Sequence, residues 1–190
     1  MNERNKLFRA FLIPAAATVC LLLIPFLLKA DWDLADYIVA SILLYSTGLT
    51  FALVTRKFKG IVYKLAVAIT CASALFLVWA NLAVGLIGSE NNPVNLIYFV
   101  MVLVAFIAAV ITKFRADSMA YIMFSMAGFQ VLSALIILAS VGINNPEYNT
   151  DNLVIYNGVH GFFTVQFILA GLLYRKAAHE MKENTEAKNG

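Results

Sequence analysis

Trp79-Ala80-Asn81-Leu82-Ala83-Val84-Gly85-Leu86-Ile87-Gly88-Ser89-Glu90-Asn91-Asn92-Pro93-Val94-Asn95 decides the fold. It begins inside an apolar run, carries an amide into it, and breaks into a dense polar turn before the next apolar run starts at Leu96. An asparagine followed by proline is a helix start, because the Asn92 side chain can cap free N–H groups and Pro93 has no N–H to satisfy. The stretch therefore reads as the end of one membrane-spanning helix, a loop, and the beginning of the next.

The rest of the chain repeats that alternation. Of its 190 residues 62% are hydrophobic and only 13% charged, and the mean hydropathy is +0.81, which excludes an ordinary soluble domain. The charges collect in short islands between apolar runs of about 20 residues, the length that crosses the hydrocarbon layer as a helix. Six spans are expected, over 10–28, 34–54, 65–88, 93–112, 118–141 and 153–174. They form one transmembrane domain over 1–176, with a tail over 177–190 that reads as a short frayed helix or as disordered. The fold class is all-α and polytopic. Met1 to Arg9 with the following apolar run resembles a signal peptide, but Leu28 and Lys29 spoil the small-x-small pattern before Ala30, so an uncleaved first span is expected, bent at Pro14 and Pro25.

Charge sets the orientation. Of the 14 Lys and Arg residues all but Lys29 lie in the N-terminus, the second and fourth loops or the tail, whereas Asp31, Asp33, Asp36, Glu90, Glu147 and Asp151 lie in the other three loops. The positive-inside rule then places both termini in the cytoplasm. Trp32, Tyr37, Tyr98 and Tyr156 at one boundary and Tyr63, Tyr121 and Tyr174 at the other read as two aromatic belts. The net charge of +3 sits beside the spans, where topology and anionic headgroups explain it; nucleic acid is not an expected partner. Cys20 and Cys71 fall in mid-span and read as apolar fillers. Asp36–Ser41 and Ala120–Ser125 look alike over six positions, which is thin support for two inverted triplets.

Polar residues inside the spans mark where a site would be. Thr70, Ser73, Leu77, Asn81, Gly85 and Gly88 share one stripe of span three; Asp33, Tyr37, Ser41, Tyr45 and Gly48 one of span two; Asn157, His160 or Gly161, Thr164 and Gly171 one of span six. Counting about 1.5 Å per residue, Asn81, Ser41 and His160 each lie roughly 10 Å below the outer interface. They are expected to form one polar layer with Tyr45 nearby, and Asp36, Glu90, Asn92, Asn95 and Asn157 to line its mouth as an outward-facing funnel. The competing reading is a hydrogen-bonded packing layer that keeps three helices in register.

No enzyme signature stands out: there is no H-E-x-x-H, no nucleophile elbow and no pair of intramembrane aspartates. A bis-histidine haem is excluded because His179 lies about 28 Å along the helix direction from His160. No cofactor and no metal are expected. Asp31, Asp33 and Asp36 could take a divalent cation with Glu147 or Asp151, but read first as a solvated loop.

The segments Asp31–Tyr37, Trp79–Leu96 and Asn157–Phe163 resemble a family of small bacterial inner-membrane proteins of uncharacterised activity. That resemblance implies a bacterial inner membrane and no particular reaction. It leads to an amide before Gly161, where this chain has His160.

Three functions are in view. Binding or passage of a small solute or ion through the funnel predicts Asn81, Glu90 and His160 facing the interior around a wet cavity. An accessory subunit, partnered by another membrane protein or by a second copy, predicts a small-residue seam facing lipid at Ala105, Ala108 and Ala109 and no enclosed cavity. An intramembrane enzyme requires a second ionisable group beside His160 or Glu90.

Overall fold

The computed structural model describes residues 3–58, 60–87, 92–141 and 150–189. The described residues form six α-helices and no strand: α1 Glu3–Leu27, α2 Leu34–Lys57, α3 Ile61–Ala83, α4 Leu96–Ile111, α5 Ala116–Val141 and α6 Thr150–Asn189, with a 3₁₀ turn at Pro93–Asn95 leading into α4. Five of them, α1 to α5, with the 3₁₀ turn counted into α4, are long and apolar enough to cross a membrane. Large apolar side chains such as Phe26, Phe76, Leu103 and Ile136 stand exposed along them, as lipid-facing residues do. This is a multi-pass helical membrane protein.

The helices group into two compact units, Met1–Lys59 and Gly60–Gly190. The first is a hairpin of α1 and α2. Its turn ends α1 with Lys29 at a φ of 50° and with the Ala30 N–H returned to the Pro25 carbonyl at 2.9 Å. Asp33 then opens α2 through a capping box: its carboxylate accepts from the Asp36 N–H at 2.9 Å, and Asp36 accepts from the Asp33 N–H at 3.0 Å. Gly48 lets α1 approach, since a Cβ there would lie 3.1 Å from Pro14 Cβ.

The second unit is built from α3 to α6. Buried residues recur at three- and four-residue steps: Tyr63, Ala66, Ser73, Leu77 and Asn81 on α3; Met119, Met123, Met126, Gln130, Ser133 and Ile137 on α5; His160, Phe163, Phe167, Ala170, Tyr174 and Ala177 on α6. Such seams bring helices together in lipid by close packing and interhelical hydrogen bonds. Gly171 is part of this fit, because a Cβ there would sit 2.7 Å from the Phe124 ring edge. Gly171→Leu is therefore expected to lower stability by about 2 kcal/mol through overpacking, read as an earlier midpoint in denaturing-detergent titration.

Two ends differ from expectation. The third span was expected to reach residue 88, yet α3 stops at Ala83. Gly85 takes a φ of 71°, which glycine adopts freely, and its N–H returns to the Asn81 carbonyl at 3.2 Å, closing the helix in a left-handed cap. The tail, in contrast, does not fray after Tyr174. It continues α6 to Asn189 because Ala177 and Ala178 are buried and Lys182 Nζ lies 3.5 Å from Asp117 Oδ1 at the start of α5.

The α4–α5 turn holds two consecutive non-glycine residues in the left-handed region, Lys113 at φ 55° and Phe114 at φ 57°. It is secured by the Phe114 N–H on the Ala109 carbonyl at 2.8 Å and by the Tyr63 hydroxyl, which donates to the Phe114 carbonyl at 2.6 Å. Lys113→Gly removes the steric cost at one of these positions and is expected to raise stability by about 0.5–1 kcal/mol in the same titration.

Candidate functional site

Asn81 is carried to the end of α3, 2% exposed. Its Nδ2 donates to the Asn95 carbonyl at 2.9 Å. Asn95, in turn, fastens the segment that leaves α3: its Oδ1 accepts from the Leu86 N–H at 3.1 Å and the Ile87 N–H at 2.8 Å, while its Nδ2 donates to the Ile87 carbonyl at 3.2 Å. One side chain thus satisfies three backbone groups of a turn that no helix serves. Asn92 caps the 3₁₀ turn, its Oδ1 accepting from the Val94 N–H at 3.0 Å, and Pro93 takes the position its missing N–H suits.

One turn further along α4 lies a second arrangement. His160 of α6 is 1% exposed, Tyr98 of α4 1% and Gln130 of α5 0%. His160 Nδ1 is 2.7 Å from Gln130 Oε1, and its Nε2 is 3.2 Å from the Tyr98 hydroxyl. An amide oxygen only accepts, so Nδ1 carries the proton; the neutral ring then accepts at Nε2, and Tyr98 O–H is the donor. The chain Tyr98 to His160 to Gln130 runs in one direction and ties three helices at one depth.

Two atoms of these arrangements stay unmatched. Asn81 Oδ1 and Gln130 Nε2 are shut off from solvent and have no hydrogen-bond partner among the described residues. A buried orphan of this kind costs about 1–3 kcal/mol. One is an acceptor, the other a donor.

The polar groups continue down the unit. Ser73 donates to Gln166 Oε1, and Thr70 Oγ1 lies 3.4 Å from the Tyr174 hydroxyl. Tyr63 and Tyr174 meet edge to face at 5.4 Å. From Asn81 to Tyr63 this succession covers roughly 27 Å of α3.

No protein-family model, curated protein or solved structure matches this chain. The site stands on its own geometry.

Of the residues expected to share the site, Asn81, Asn95 and His160 are buried in the second unit. Asn157 is half-buried one turn before His160. Asp36, Ser41 and Tyr45 belong to α2 in the first unit; Asp36 serves its capping box, and the Ser41 hydroxyl donates to the Tyr37 carbonyl at 2.6 Å. Glu90 and Glu147 lie outside the described residues. Among the described residues no three His, Cys, Asp or Glu side chains come together.

Tyr98, Tyr63 and Tyr174, read from the sequence as interfacial belt residues, are 0–1% exposed and act as interior hydrogen-bonding groups. Tyr121 is 75% exposed, as a belt residue is. Gln130 was missed altogether. It lies on the seam of Met119, Met123, Met126 and Ser133, and a lone amide at that register was the signal available.

Between α4 and α5 an apolar groove of about 470 Å³ opens on the surface, lined by Val104, Ala105, Ala108, Tyr121, Ser125 and Phe129 among others. Ala109, expected beside Ala105 and Ala108, is buried instead.

Proposed function

We propose that the α3–α6 unit binds, and in the full reading passes, a small solute or ion at the layer formed by Asn81, Asn95, Tyr98, Gln130 and His160. The observation that carries this is the pair of buried unmatched atoms, Asn81 Oδ1 and Gln130 Nε2. Among the described residues no other buried side-chain nitrogen or oxygen lacks a partner, in a lipid setting where orphan groups are expensive. A bound molecule would relieve both.

In the same reading the chain crosses a bacterial inner membrane six times with both termini in the cytoplasm, which the distribution of Lys and Arg supports. The layer then faces outward, with Asn157 toward its mouth. Native mass spectrometry of the protein from its own membrane in mild detergent tests the reading. A small adduct present on the wild type and absent from a folded Gln130→Leu variant supports it; the bare polypeptide mass for each argues against a tightly held ligand.

The α4–α5 groove favours a second reading, an accessory subunit that seats a partner helix against Ala105 and Ala108. In the same spectra that reading predicts a second protein chain, lost when Ala105 and Ala108 are both changed to leucine.

A further inference from the structure

We infer that the ligand of this layer is an uncharged molecule that both donates and accepts hydrogen bonds, of the carboxamide class, and not an ion. The inference rests on reading the layer as a binding site and narrows what binds there. Three observations carry it.

First, the layer holds no formal charge among the described residues: its members are two asparagines, a glutamine, a tyrosine and a histidine. The histidine faces an amide oxygen on one side and a hydroxyl on the other, neither of which balances a charge. An unbalanced charge at this depth in a membrane is costly.

Second, the free valences are wrong for either kind of ion. A calcium ion takes six to eight oxygens and a magnesium ion six, and among the described residues the layer leaves one buried side-chain oxygen unmatched, Asn81 Oδ1. An anion wants convergent donors or a cation, and among the described residues the one unmatched buried donor group is Gln130 Nε2. His160 cannot add a donor, because Nδ1–H is engaged by Gln130 Oε1 and Nε2 by Tyr98.

Third, the pair that is left is complementary. A molecule presenting an N–H to Asn81 and a carbonyl to Gln130, together or in succession, satisfies both orphans without bringing charge into the site. The polar groups below are likewise neutral hydroxyls and amides, at Ser73 with Gln166 and Thr70 with Tyr174.

Three probes of nearly one shape separate the cases: acetamide, acetate and acetamidinium, which carry no charge, a negative and a positive one. Saturation-transfer NMR on the purified full chain in detergent reads contact from the methyl signal of each. The expected result is transfer to acetamide at least fivefold above that to either ion, falling at least fivefold in Gln130→Leu and in Asn81→Leu, each checked for native helicity. Transfer to acetate or acetamidinium equal to or above that to acetamide overturns the uncharged class and leaves the layer a binding site. No transfer to any of the three, with a bare mass in the native spectra, removes the binding site and this inference with it.

Discussion

His160→Leu is expected to destabilise the protein by about 3 kcal/mol. Leucine fills the volume but leaves Gln130 Oε1 and the Tyr98 hydroxyl facing a methyl group, and Gln130 would then have neither of its polar atoms matched. The cost is therefore mostly that of stranding partners, not of losing the ring. Two companions separate these contributions. Adding Gln130→Leu removes the stranded amide, so the double variant should cost about 1–2 kcal/mol less than the sum of the two singles. His160→Gln keeps one donor and one acceptor and should cost about 1 kcal/mol. It also restores the amide that the sequence resemblance leads one to expect before Gly161. Denaturing-detergent titration of the four proteins measures all three quantities. A His160→Leu variant within about 0.5 kcal/mol of the wild type would contradict the hydrogen-bond assignment.

Asn95→Ala should come close to it, at about 2–3 kcal/mol, with a different signature. The alanine strands the N–H groups of Leu86 and Ile87, which Asn95 Oδ1 serves at 3.1 and 2.8 Å, and the Ile87 carbonyl. The Asn81 contact is made to the Asn95 backbone carbonyl, so it survives the substitution. The damage should stay local. Amide hydrogen exchange is expected to accelerate at Leu86 and Ile87 by at least tenfold while amides in the middle of α5 and α6 slow or hold. Uniform acceleration along the unit would mean that Asn95 supports the whole bundle and is not a latch on one turn.

The helices were legible because membrane spans and charged islands differ so strongly in composition, and the Asn92-Pro93 start was legible because its chemistry is local. The early end of α3 was not. It depends on Gly85 adopting a left-handed conformation and on a side chain ten residues further on, Asn95, which takes over the backbone groups the helix no longer serves. The tail misled for a related reason. Lys, Glu and Asn alternate there as in a solvated segment, but Ala177 and Ala178 continue the α6 seam and carry the helix on.

At the site, Asn81 and His160 stood out as lone polar residues at helical spacing. Their partners did not, for two reasons. Tyr98 sits at the depth of an interfacial belt, and depth alone does not say which way a tyrosine faces; only the α4 register turns it onto His160. Gln130 required recognising the methionine-rich face of α5 as the buried one. Ser41 and Tyr45, read at equal depth with Asn81 and His160, belong to the hairpin of the first unit, where the Ser41 hydroxyl donates to the Tyr37 carbonyl.

The direction of the His160 hydrogen bonds is what leaves Gln130 with a free donor, and everything said about the ligand depends on it. Nitrogen-15 NMR of the histidine-labelled protein, with His179 changed to glutamine so that one ring remains, reads that direction from the shifts of the two ring nitrogens. The account predicts a protonated Nδ1 and an unprotonated, accepting Nε2. A ring protonated at Nε2 and bare at Nδ1 would turn the Gln130 amide around, put a free oxygen where the donor is placed, and contradict both the relay and the carboxamide ligand.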